Sequence, residues 1–342
     1  MRAEAAESLV QEAEQRRARG EHLVASKFLR DALELYTEAG SGGEVLDRVK
    51  VRLEEAGRQA VSAMKQITSG PIEIPRDVIE AIPSQMRPMS LPMCFRALSR
   101  YEGWIPSADR ARRTAAENAG RFISQMMPLT VFRGDIPALE IVEDSARVEY
   151  EALNLIKMTY QVFAEAHLPA IIEVLREKGW TAEAFAEHLS HGGLISESRL
   201  RLIKHGADRY FADDTVSALH ILVLQVEGIV RDAAAVLGLP TTTRRGGRVQ
   251  ARMLDSLLED EDIVAVLGCD FSTLPRVFLT DPQGDSLRND VAHALLDPDS
   301  FDRWKCELLV MILLRLSAYQ VDRISSGDAA PRAEGARPGM AE

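Results

Sequence analysis

The sequence predicts a mainly α-helical protein, with a C-terminal helical bundle, additional N-terminal helices and one small β-hairpin. Three observations carry this expectation. Apolar residues recur at three- and four-residue spacing through most of the 342 residues, the period of a helix with one buried face. Two long segments, 214–240 and 300–324, are apolar around most of their circumference, as the central helices of a bundle are. Only "MPLTVFRGDIPALEIVED" sets β-branched residues on both sides of a turn, which reads as a hairpin. With 46% apolar residues the chain can bury a sizeable core, and its length suits two or three structural units.

Taken in order, the first 70 residues form an N-terminal helical unit. "AESLVQEAEQRRARGEHLVASKFLRDALELYTEAG" is rich in helix formers, is stopped by "GSGG", and is followed by "EVLDRVKVRLEEAGRQAVSAMKQI". Ala25, Phe28, Ala32 and Tyr36 after Gly20 resemble a single tetratricopeptide hairpin, but one copy is not a repeat array. A middle helical region spans 71–195. It opens on a proline-rich connector, since proline biases its neighbour away from helix, and carries the hairpin, in which "RGD" is a turn. The bundle covers 196–325. Within it, the helix from Asp214 is stopped by Gly238 and Pro240. The small, polar tail 326–342 is expected to be disordered.

Charge and cysteine usage narrow the function. A net charge of -11 counts against a protein that coats nucleic acid nonspecifically, but it leaves room for a local basic site. "TTTRRGGRVQAR" is such a place: Arg244, Arg245, Arg248 and Arg252 occur there without an acid. It reads either as a solvated interhelical loop or as an RNA-contacting patch. Cys94, Cys269 and Cys306 lack CxxC spacing, which argues against a disulfide framework and against structural zinc. No apolar run approaches the roughly 20 residues a bilayer needs. The acidic N-terminus has no signal-like core. No membrane segment, no cofactor and a cytoplasmic location are the corresponding expectations.

His188 and His191, spaced i, i+3 in "EHLSHGG", have the spacing of metal ligands. The glycines that follow make a helix C-terminus the better reading, because histidine favours that end, and no metal is expected. Glu227 and Arg231, one turn apart, read as an intrahelical ion pair. In so apolar a helix they are also candidates to support a polar site from behind.

The segment "GDSLRNDVAHALLDPDSF" holds the sharpest chemistry. Asp285 or Ser286 is a natural N-cap. From there Leu287, Val291 and Leu295 would form a core stripe, with Asn289 and His293 together on the opposite face and Arg288 at the boundary. Cleaving RNA without a metal needs a proton acceptor, a proton donor and a cation for the phosphorane. Histidine and arginine supply these. The positive end of the same helix would help attract the phosphate and favour a neutral base.

The RNxxxH form, here "RNDVAH", ahead of a long C-terminal helix and after "ALHILVLQVEGIVRDAAAVLG", resembles the HEPN superfamily. More narrowly, it is similar to the branch that includes the endoplasmic reticulum membrane-associated RNA degradation protein. The resemblance covers about Ser196 to Ile324. It implies a HEPN-like bundle of mainly four helices that homodimerises through the C-terminal bundle, bringing two Arg-x4-His sets into one cleft. It further implies a metal-independent endoribonuclease that leaves a 2′,3′-cyclic phosphate, with Arg288 and His293 catalytic and Asn289 supportive. The chain departs from the family pattern at Ala294, where glycine is common, and at Leu224, where proline is common. The superfamily also includes noncatalytic members. RNA or nucleotide binding without turnover, or a scaffold role, is therefore the alternative expectation.

Overall fold

Helix formers punctuated by glycine and proline set the element order. The computed structural model describes residues 1–64, 73–119, 129–133, 136–141 and 143–319, with only the backbone of 132, 133, 136–140 and 245. The chain opens on three helices, α1 (Arg2–Ala18), α2 (His22–Glu38) and α3 (Gly43–Ala63). Gly20 and Gly40 end the first two at positive φ. In the proline-rich stretch lie α4 (Arg76–Met86), α5 (Leu91–Arg100) and α6 (Ala108–Asn118). Pro92 sits in the first turn of α5, where its missing N–H costs nothing.

Strands β1 (Leu129–Arg133) and β2 (Ile136–Ile141) pair antiparallel, with Leu129 opposite Ile141. This is the expected hairpin, although Gly134 and Asp135 of its turn lie outside the described residues, as does the tail. α7 (Asp144–Val162) passes through a π-helical turn, Phe163–His167, into α8 (Leu168–Glu177). Pro169 accounts for the widening, because it has no N–H for residue 165 and its ring crowds that carbonyl. Next come α9 (Ala182–Ser190), α10 (Glu197–Phe211) and α11 (Thr215–Val236). The Asp214 carboxylate accepts from Ser217 N at 3.0 Å to cap α11, and Gly238 follows its end at positive φ.

A second hairpin, β3 (Thr242–Arg245) and β4 (Arg248–Ala251), stands where a loop or basic patch was expected. Gly246 and Gly247, both at positive φ, make the two-residue turn whose twist matches paired strands. The rest is α12 (Leu254–Leu258), α13 (Glu261–Leu267), α14 (Cys269–Leu279), α15 (Leu287–Ala292) and α16 (Arg303–Ser317). Among the described residues no helix is long and apolar enough to cross a membrane. All three cysteines are free.

The elements fall into two compact units whose segments alternate along the chain. The first comprises 1–84, 102–170 and 258–296. In it, α1 to α3 bury small and aliphatic residues such as Ala6, Val10, Leu29, Ala32, Val49 and Ala56 against one another. The buried Tyr36 hydroxyl donates to Glu7 at 2.6 Å. Elsewhere in this unit α7 packs on α6 and α14. Trp104 stacks on Phe163 at 6.1 Å and meets Phe271 edge-on at 6.3 Å. The Asp270 carboxylate accepts from Ala108 N at 2.8 Å, serving the first turn of α6 from another helix.

The second unit comprises 85–101, 171–257 and the described residues from 297. Here α11 packs against α10 and α16, as the apolar circumference of α11 and α16 predicts, and α16 also packs on α5 and α9. Leu308, Leu309, Ile312, Leu313 and Leu314 are fully buried, each contributing about 1.5–3 kcal/mol. Two glycines let α10 and α11 approach closely. A Cβ on Gly206 would lie 2.7 Å from Leu222, and one on Gly228 would lie 1.8 Å from the Arg199 guanidinium. That guanidinium crosses α11 at Gly228 and grips Asp232 with two bonds, 2.5 and 3.0 Å. Near the other end of α16, Tyr210 donates to the buried Glu307 at 2.6 Å, and Arg303 donates to the same oxygen at 3.1 Å. Burial pushes the Glu307 carboxyl up despite these donors.

Removing one donor from this carboxylate by Tyr210→Phe is expected to cost about 1–2 kcal/mol, and Glu307→Ala about 3 kcal/mol, read as lower urea midpoints at unchanged m-value. A second expectation concerns pH. Burial, with His191 and Arg96 nearby, pulls the His188 imidazole from 6.5 down to about 4. The unfolded chain takes up this proton first, so its contribution to stability is lost as pH falls from 6.5 towards 4. Unfolding curves across that range should show the decline, and His188→Asn should flatten it.

Candidate functional site

The segment carrying Arg288, Asn289 and His293 is held by the loop before it. After α14 the Asp281 carboxylate accepts from Gln283 N and from Arg276 Nη1, both at 2.9 Å. Gly284 then passes so close to α14 that a Cβ would sit 2.0 Å from Val277 O, and only glycine fits there. Asp285 N donates to that same carbonyl at 3.1 Å. The Asp285 side chain turns to α7, accepting from Tyr160 Oη at 2.7 Å and pairing with Lys157 Nζ at 2.5 Å. Burial, reinforced by the Asp285 charge, pushes the Tyr160 hydroxyl well above its ordinary value. It stays a neutral donor.

Ser286 occupies the N-cap position of α15, but its side chain makes no capping bond and its φ is 49°. Asn289 anchors this end of the helix in another way, as a donor. Its Nδ2 donates to Thr280 O at 3.0 Å and to Ser286 Oγ at 3.2 Å, tying the first turn to the end of α14. Its Oδ1 accepts from Arg288 Nη1 at 3.2 Å. The asparagine beside the arginine therefore orients the guanidinium and stitches the loop at once.

The far end of α15 departs from expectation. The helix stops at Ala292 and His293 is its C-cap. Ala294 N donates to Val291 O at 3.3 Å and Leu295 N to Asp290 O at 2.8 Å, with Ala294 at φ 55°. These bonds and the left-handed residue make a Schellman motif. Leu287 and Val291 are buried as expected, but Leu295 is 65% exposed, because the reversal at Ala294 carries it off the helical stripe. His293 lies at the helix end whose partial charge is negative, not at the positive end that was expected. Its imidazole is exposed and makes no hydrogen bond among the described residues.

The motif places a strained residue at position 294. A left-handed C′ residue favours glycine for lack of a Cβ, and alanine there costs roughly 1 kcal/mol.

The remaining sequence candidates lie in the second unit. Glu227, almost fully buried, pairs with Arg231 at 2.5 Å. Arg231 also donates to Arg252 O at 2.9 Å, tying α11 to the root of the second hairpin. The Arg252 guanidinium bonds Ser256 O at 2.6 Å and Pro240 O at 3.3 Å, closing that root from the other side. Arg244 and Arg248 are exposed on the strands, and the side chain of Arg245 lies outside those described. The structure thus joins Arg288 to Asn289, and Glu227 to Arg231 and Arg252, as two separate clusters. The threonine run before "RRGGR" was the missed sign of a hairpin.

Asn289→Ala is expected to lower stability by about 1–3 kcal/mol, since Thr280 O and the Arg288 guanidinium lose their partner. Ala294→Gly should raise it by roughly 1 kcal/mol by relieving the left-handed alanine. Chemical denaturation of the two variants reads both signs. No protein family model matches this chain, and neither does any curated protein or solved structure.

Proposed function

We propose that the chain is a metal-independent endoribonuclease of HEPN type. The observation that carries this reading is a division of labour within six residues. Asn289 spends its amide on holding Arg288, while the His293 imidazole is left exposed and uncommitted. An oriented guanidinium suits the charge of a phosphorane, and a free imidazole suits proton transfer.

In the proposed reaction the imidazole of one His293 accepts the proton of a ribose 2′-hydroxyl, whose oxygen attacks the adjacent phosphorus. The P–O5′ bond breaks, and the leaving oxygen takes a proton from the protonated His293 of a second copy. The products are a 2′,3′-cyclic phosphate and a 5′-hydroxyl. Arg288 stabilises the charge gathered on the nonbridging oxygens. This requires a homodimer through the C-terminal bundle, which is part of the proposal, as is RNA contact by the exposed Arg244 and Arg248, with Arg245 between them. Glu227, Arg231 and Arg252 act behind those contacts by fixing the hairpin root.

The second reading is a noncatalytic protein that binds RNA or a nucleotide, or serves as a scaffold. The structural bonds of Asn289 favour it, since they serve the loop whether or not catalysis occurs. RNA cleavage in EDTA separates the two. Wild type should release 2′,3′-cyclic phosphate ends, and His293→Ala should lower the rate by about 10²-fold or more, with Arg288→Ala similarly impaired. Cleavage unchanged in His293→Ala, or strictly dependent on metal, would sink the nuclease reading.

A further inference from the structure

Arg96 and Arg100 stand one turn apart on α5, both exposed and with no acidic partner among the described residues. Like charges at this spacing repel, so the pair would gain from a shared anion. Both open onto a cavity of 340 Å³, whose walls also include Ser99, His188, His191 and Gly192 and, among the described residues, contain no carboxylate. The cavity beside α7 differs in this respect: there Arg112 faces Glu149 and Arg276 faces Asp281, so its charge is already balanced.

The walls are preformed. His188 lies against the buried Phe95, ring centroids 5.2 Å apart, and the two imidazoles are 6.2 Å apart. Gly192 is buried under the end of α16, where a Cβ would fall 2.2 Å from Ser317 O. Three helices end around the cavity, and their terminal carbonyls would repel an anion. Two of these are already taken: Ser99 O accepts from Arg315 Nη1 at 3.4 Å, and His188 O from His191 N at 3.2 Å. What remains is a concave site with two guanidinium forks and two imidazoles, of a size that holds a small molecule.

We propose that this cavity binds a terminal phosphate monoester, carried by a free nucleotide or by the 5′ end of an RNA chain. A monoester carries roughly -1.5 to -2 charge at neutral pH, matching two guanidiniums, whereas a carboxylate or a phosphodiester carries one. Guanidinium forks engage such oxygens in pairs, and the His188 imidazole can add a single donor; Nδ1 of His191 already donates to His188 O at 3.1 Å. The site lies in the second unit and Arg288 in the first. The proposal stands whether or not RNA is cleaved at Arg288 and His293.

Calorimetric titration of the full chain tests it, using adenosine 5′-monophosphate, adenosine, and a short RNA bearing either a 5′-phosphate or a 5′-hydroxyl. The monophosphate should bind at least about tenfold more tightly than adenosine. The double variant Arg96→Ala/Arg100→Ala should abolish that preference at an unchanged melting temperature. Arg96→Lys/Arg100→Lys should retain part of it. Preference for the 5′-phosphorylated RNA, lost in the same variant, identifies an RNA end as the source; preference for the free monophosphate alone identifies a nucleotide. The proposal is overturned if neither probe pair distinguishes phosphate from its absence. It is equally overturned if Arg201→Ala/Arg209→Ala, at exposed positions of α10, weakens binding as much as the α5 variant, for the effect is then bulk charge.

Discussion

The geometry of residues 280–295 turns on the carboxylate of Asp285. A charge this far from water is costly unless it is paired, and Lys157 and Tyr160, one turn apart on α7, supply the pairing and the hydrogen bond. The contact fixes where the chain leaves α14 and therefore where α15 begins. From that start the Asn289 amide reaches back to Thr280 O, and the Asn289 so fixed holds Arg288. A half-buried ion pair that adds little net stability can still decide where a nearby side chain points.

Much of the fold was legible because its signals are local. Asp214 and Gly238 bracket α11 as capping chemistry dictates, and β-branched residues around a turn marked the first hairpin. The second hairpin carried an equally local signal in its paired glycines, but four arginines drew the reading towards charge rather than backbone conformation. The end of α15 was harder. Leu287, Val291 and Leu295 keep helical spacing, and nothing in the alanine at 294 says that it turns left-handed. A long-range constraint decides it: the loop pinned to α7 and α14 fixes where the helix starts, and the chain must reverse shortly afterwards. The Asp285 contact joins residues 125 positions apart, beyond the reach of any periodicity.

The arginines of this acidic chain divide by what they face. Arg252 faces carbonyls and closes a hairpin root; Arg288 faces an amide that aims it; Arg96 and Arg100 face a cavity without a carboxylate among the described residues. Composition counts all four alike. What sets them apart is the acceptors that tertiary structure brings to them, which a cluster in sequence does not reveal.

The crossing of Arg199 over Gly228 ties two positions that are distant in sequence. With the guanidinium lying where a Cβ would be, a side chain at residue 228 must push the far end of Arg199 aside. Asp232 would then lose its bidentate partner and become a carboxylate in need of another. A steric change on one face of α11 is thereby converted into an electrostatic one a turn further along the same helix.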